Sequence, residues 1–115
     1  MDRKIRVAVV GYGNIGKSTL EAIDASTDME CAAVVRRSGS AEGIPELAGR
    51  KVVSDIREVA DVDVAILATP SRKVRENALK YLALGINTVD SFDIHSEIVS
   101  LRRELDPVAK AGNAV

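Results

Sequence analysis

The sequence is poor in the residues that build disulfide, metal and stacking sites. Its one cysteine, Cys31, excludes an intramolecular disulfide and a cysteine-rich zinc centre. Its one histidine, His95, leaves little material for a histidine-based metal site, and no metal is expected. Tryptophan is absent, and Tyr12, Tyr81 and Phe92 are too few aromatics for a base-stacking platform. Charge of one sign is also lacking: 16 Lys+Arg against 17 Asp+Glu leave a net −1. That balance argues against nucleic acid or an anionic membrane as partner. No apolar run approaches the ~20 residues of a membrane helix. The start, Met1-Asp2-Arg3-Lys4, leads into six strand-like residues and does not read as a signal peptide. What remains is a chain of 115 residues, 46% of them apolar, that suits one soluble, cytoplasmic domain with a real core.

The order of segments carries more than the bulk numbers. Residues 5–10, Ile-Arg-Val-Ala-Val-Val, read as a buried parallel strand ending on glycine. From Asn14 to about Ser26, Ile15, Thr19, Ala22, Ile23 and Ser26 fall at helical spacing and predict the inward face. A second strand spans 30–35, and the connection from Arg36 to Arg50 holds at best a weak helical turn near 45–47. Residues 51–53 read as a short edge strand, and Asp55 as the cap of a short helix over 56–60. A fourth strand covers 63–68. Thr69 is the expected cap of the next helix, with Pro70 at its first position, Val74, Ala78, Tyr81 and Leu82 on one face, and Gly85 at its end. A fifth strand spans 86–90. Ile94, Ile98, Leu101 and Leu105 mark a last helix, which Asp106-Pro107 breaks, kinks or restarts and Gly112-Asn113 stops. Ala114-Val115 looks like the start of a sixth strand. Strand and helix alternate five times with no hairpin signal. The fold class expected is α/β, a doubly wound parallel sheet of the Rossmann kind with helices on both faces. The unfinished sixth strand predicts that residues 1–115 are the dinucleotide-binding part of something longer.

The chemistry concentrates at strand ends. Gly11-Tyr12-Gly13-Asn14-Ile15-Gly16 is a G-x-G-x-x-G set between the first strand and the first helix. Gly11 permits the tight turn, Gly13 lets a pyrophosphate approach the backbone, and Gly16 allows close helix–strand packing. The free N–H groups and positive dipole end of the helix then favour the phosphates. At the end of the second strand an NAD-binding protein usually carries an acid for the ribose hydroxyls. Here Arg36-Arg37-Ser38 stands instead, two guanidiniums and a hydroxyl suited to a 2′-phosphate, so NADP is the predicted cofactor. A solvated arginine pair is the plain alternative. Thr69, Pro70 and Ser71 can line the middle of the cofactor. Asp90, Ser91, Phe92 and Asp93 follow the fifth strand, and their carboxylates either hold a substrate ammonium or cap the next helix. No basic pair is identifiable near that strand to take a substrate carboxylate. Cys31 reads as a small core residue and His95 as a surface one.

These residues in this order resemble the N-terminal domain of the meso-diaminopimelate D-dehydrogenase family. The resemblance runs through all 115 residues: the opening from Ile5 to Gly16, Asp28-Met29-Glu30 leading into the second strand, Arg36-Arg37 after it, and Thr88-Val89-Asp90-Ser91-Phe92-Asp93-Ile94-His95. The last segment is the most specific. The resemblance implies an NADP-dependent enzyme of lysine and cell-wall precursor synthesis. Its reaction is the reversible oxidative deamination of the D-centre of meso-2,6-diaminopimelate to L-2-amino-6-oxopimelate and ammonia. It also implies a substrate and dimerisation domain beyond Val115, hence a homodimer. Carried over, Gly11 to Gly16 would hold the pyrophosphate; Arg36, Arg37 and Ser38 the 2′-phosphate and adenine; Thr69, Pro70 and Ser71 the middle; and Asp90, Ser91 and Phe92 the nicotinamide end. Asp93 would hold the amino group of the D-centre, and Glu97 matches a second acid more loosely. The alternatives are the cofactor domain of another two-domain reductase and a stand-alone NADP-binding or redox-sensing module.

Overall fold

The structure, a computed structural model, describes residues 3–115. Five parallel strands form one sheet: β1 Ile5–Val10, β2 Met29–Val35, β3 Val52–Val53, β4 Val64–Leu67 and β5 Asn87–Asp90. Their spatial order is β3-β2-β1-β4-β5. Three α-helices accompany them: α1 Asn14–Ala25, α2 Ser71–Ala83 and α3 Ile98–Gly112. The weak helical turn expected near 45–47 is present, and the short helix expected over 56–60 is a single turn. Residues Pro45–Leu47 and Ile56–Glu58 form single 3-10 turns, the second closed by a capping box between Asp55 and Glu58.

Period-two alternation along β1 divides the core. Val7 and Val9 face one layer with Leu20 and Ile23 of α1, Val34 and Leu47. Ala8 and Val10 face the other, with Ala65, Leu67, and the α2 residues Val74, Ala78, Tyr81 and Leu82. Leu101 of α3 packs on that second layer. Each fully buried valine contributes roughly 1.5–3 kcal/mol, so the all-buried run Val7 to Val10 makes β1 the anchor of the sheet. Pairing with β2 shifts between Val7 and Ala8, which face Cys31 and Ala33. Because β2 and β4 flank β1 on opposite sides, their connections diverge there, and a crevice opens at the C-terminal ends of these strands.

Several expectations need correction. The inward face of α1 is Gly16, Leu20 and Ile23, whereas Ile15 is 62% exposed and Ala22 is exposed. Close passage of Gly16 against the β1 turn sets the helix phase. Thr69 does not cap α2; the capping position is Pro70, with no side-chain cap bond. The last helix begins at Ile98 rather than near Ile94: residues 95–97 form a separate turn in which the Glu97 N–H donates to the Ile94 carbonyl at 3.0 Å. Pro107 neither breaks nor restarts it: α3 is continuous to Gly112. Leu105, Val108 and Ala109 pack against the core on both sides of the proline, and Asp106 pairs with Lys110 at 2.9 Å across it. One missing backbone bond is outweighed by that packing. Gly85, at φ +81°, follows the end of α2 in the left-handed conformation that favours glycine. Asn113, also left-handed, caps α3. Ala114-Val115 forms no strand, although Val115 lies along β5 and accepts the Thr88 N–H at 2.8 Å. Among the described residues, no helix is long and apolar enough to cross a membrane.

Candidate functional site

The glycine loop is built by steric necessity at two positions and left open at the third. Gly11 has φ +91°, and a Cβ there would stand 2.7 Å from the Ala68 carbonyl oxygen at the end of β4. A Cβ on Gly16 would collide with the Gly11 carbonyl oxygen. At Gly13 nothing lies within 4 Å of the Cβ position. Gly13 caps α1 without a side chain, so the first N–H groups of Asn14, Ile15 and Gly16 have no intrahelical acceptor. The Tyr12 hydroxyl donates to Glu46 Oε1 at 3.3 Å. Burial, then the Glu46 carboxylate, pushes the Tyr12 phenol up.

Two clefts meet at Pro70. The first, about 730 Å³, runs from Gly11 and Tyr12 to Arg36, Arg37 and Ser38 after β2, and is walled by Thr69 and the α2 residues Lys73, Asn77 and Lys80. Four cations and one carboxylate, Glu76, line it. Arg36 donates to the Ser40 carbonyl, whereas Arg37 is exposed. Ser38 is also turned onto the Ser40 backbone. The Thr69 hydroxyl oxygen is buried without a hydrogen-bond partner. Tyr81 closes the floor, its phenol pushed up to about 12 by burial and the Asp55 carboxylate.

The second cleft, about 940 Å³, is lined by Ser71, Arg72, Arg75, Phe92, Asp93, Glu97 and Glu104 among others. Here carboxylates outnumber guanidiniums, and Arg75 is occupied by a two-pronged pair with Glu104. The Asp93 carboxylate accepts from Ser71 Oγ at 2.7 Å, and its N–H donates back to that oxygen at 3.2 Å. Neither Asp90 nor Asp93 caps α3: Asp90 accepts the Phe92 N–H in a local turn, and Glu97 holds the capping position.

The sequence-predicted residues are thus divided. Gly11, Tyr12, Arg36, Arg37, Ser38, Thr69 and Pro70 share the cationic cleft, while Ser71, Phe92 and Asp93 share the acidic one. Asp90 instead lines a groove between β5 and α3, and Ser91 lines neither cleft. Cys31 is half-buried, and burial pushes its thiol up, which suits an inert residue. His95 is exposed in the turn before α3. Among the described residues, no cluster of histidine, cysteine and carboxylates is placed to hold a metal.

The pattern of the family described as "Oxidoreductase family, NAD-binding Rossmann fold" matches residues 5–89. The chain belongs to this family. Within this oxidoreductase family it is 57% identical, over 113 residues, to the meso-diaminopimelate D-dehydrogenase of Bacteroides fragilis, covering 98% of this chain and 38% of that protein. Among solved structures it is similar to C. glutamicum DAP dehydrogenase in complex with DAP, with a TM-score of 0.80 and 31% identity over 96% of this chain and 35% of that one. An engineered D-amino acid dehydrogenase bound to NADP+ aligns with a TM-score of 0.79 and 31% identity, again over 96% and 35% of the two chains. The chain therefore spans little more than a third of the length of the curated relatives it matches.

The structure of this oxidoreductase domain adds residues that sequence reasoning passed over. Lys73, Asn77 and Lys80 recur at helical spacing and share the cleft of the arginine pair. Arg72 and Arg75 line the same cleft as Asp93, Arg75 through its pair with Glu104. Their signal was present as a row of polar residues flanking the apolar face of α2. The facing partner of that row was not.

Proposed function

We propose that this chain is the cofactor-binding domain of an NADP-dependent meso-diaminopimelate D-dehydrogenase. The observation that carries the reading is the meeting, at Pro70, of a cation-lined cleft holding Arg36 and Arg37 with an acid-rich cleft holding Asp93. A dinucleotide phosphate suits the first cleft and a substrate ammonium the second. The residues fit the cofactor: the open position at Gly13, the unpartnered N–H groups of α1 and the buried, unpartnered Thr69 hydroxyl are all available to a polar ligand. Backbone N–H groups of Asn14 to Gly16 would hold the pyrophosphate. Arg37 and Arg36 would hold the 2′-phosphate, which an acid at this position would repel. Asp93, positioned by Ser71, would accept hydrogen bonds from the ammonium of the D-centre and orient its carbon toward the crevice. The cofactor, when bound, supplies the hydride acceptor. Substrate carboxylates and the closure that excludes water belong in this reading to a second domain. The resemblance to an enzyme of known D-amino-acid chemistry favours this over a stand-alone module.

The test has two parts. This chain should bind NADP+ in preference to NAD+, and replacing Arg36 and Arg37 with alanine should weaken NADP+ binding about ten- to a hundred-fold with little change for NAD+. It should form no NADPH from meso-diaminopimelate by itself, whereas the full-length enzyme should. Equal affinities for the two cofactors before mutation would overturn the cofactor assignment. A full-length enzyme that leaves meso-diaminopimelate untouched would overturn the substrate.

A further inference from the structure

We propose that Lys73 is a third cation for the 2′-phosphate of the dinucleotide, reaching it from the α2 wall of the cleft that Arg36 and Arg37 line on the β2 side. This rests on the cofactor reading above and deepens it. The groups assigned to that phosphate from sequence are partly committed elsewhere. Arg36 already gives an N–H to the Ser40 carbonyl, and Ser38 Oγ is engaged with the same residue's backbone. A phosphate monoester carries a charge of about −1.5 to −2 at neutral pH and three terminal oxygens, so beside Arg37 and the remaining N–H groups of Arg36 it has acceptors left for a further cation.

The α2 wall supplies such a cation. Lys73 lies in the first turn of α2 and lines the cleft. Lys80, two turns on, is held by Asp55 at 3.2 Å. The carboxylate partner of Lys73 is Glu76, at 3.9 Å, and both side chains are more than half exposed. An exposed pair at that distance contributes little, so the ammonium can move to a stronger acceptor at small cost. Its compact charge on a flexible stem suits a phosphate whose other face is held by the planar guanidiniums. Glu76 lines the same cleft and would repel the phosphate unless a cation stands between them. Lys73 lines that cleft 3.9 Å from Glu76 and offsets its charge there.

The experiment measures binding, not turnover. The chain and its Lys73→Met variant, which keeps the apolar stem and drops the charge, are titrated with NADP+, NAD+, adenosine 2′,5′-bisphosphate and AMP. NADP+ and the bisphosphate should each bind about ten-fold more weakly to the variant, and NAD+ and AMP as before. Lys73→Arg should retain most of the wild-type affinity, and matching thermal melts check that each variant is folded. Equal losses for NADP+ and NAD+ would move Lys73 to a phosphate common to both and overturn the assignment. No loss for NADP+ would overturn it outright while leaving the cofactor reading intact. A wild-type chain that binds neither dinucleotide would overturn both together.

Discussion

Ser71 and Asp93 hold each other reciprocally: the serine hydroxyl donates to the carboxylate at 2.7 Å and accepts the Asp93 N–H at 3.2 Å. The contact ties the segment leaving β5 to the first residue of α2, so two strand ends on one side of the crevice become one unit. Asp93 is held there by a neutral hydroxyl. Its carboxylate can be oriented without being matched to a cation of the chain, which is what an ammonium-binding group requires.

Asp93→Asn separates that role from a purely structural one. Asparagine keeps an oxygen to accept from Ser71 and loses the charge. In the full-length enzyme, turnover of meso-diaminopimelate should fall by ~100-fold or more, with NADPH affinity near that of the wild type. Normal turnover in this variant would reduce Asp93 to an organiser of the loop.

Two of the motif glycines, Gly16 and Gly13, should respond differently to the same added methyl group. Gly16→Ala forces a Cβ onto the Gly11 carbonyl and should cost about 1–3 kcal/mol as overpacking. Gly13→Ala meets open space at φ −93°, so the fold should be nearly unaffected while dinucleotide binding weakens. Denaturant midpoints and cofactor titrations on both variants check this. A Gly13→Ala chain that binds as before would remove the pyrophosphate from that position.

Acid should loosen the scaffold through two paired carboxylates. The Arg3 guanidinium, together with the Arg6 N–H at 2.8 Å, holds Asp63 below its ordinary range. The Arg57 side chain and backbone N–H do the same for Asp55, more strongly. Folded values below the unfolded ones mean that the unfolded chain takes up protons first. The stabilisation is therefore complete above the unfolded value of ~3.9 and drains away as pH falls through the lowered folded values. Denaturant midpoints should drop from about pH 4 downward. A variant with Asn at 55 and 63 should show a shallower acid limb, and an unchanged slope would exclude these two groups as its source.

The fold class was legible because its signals are local. β-branched runs, the glycine turn after Val10 and the polar/apolar periods each depend on a few neighbouring residues, and together they fixed the order of strands and helices. That Arg36 and Arg37 line the cleft beyond β2 was legible because the end of that strand has a known place in a doubly wound sheet. Other features were decided by contacts between distant segments. Passage of Gly16 beneath Gly11 rotated α1 so that Leu20, not Ile15, faces the core. Packing of Leu105 and Val108 carried α3 through Pro107, overriding a local propensity. The Ser71–Asp93 bond joined the segment after β5 to α2, and the packing of α2 against β4 and β5 placed Lys73 in the cleft that the arginines line. Sequence periodicity tells which face of a helix is apolar. Only the packed sheet decides what the flanking polar residues confront.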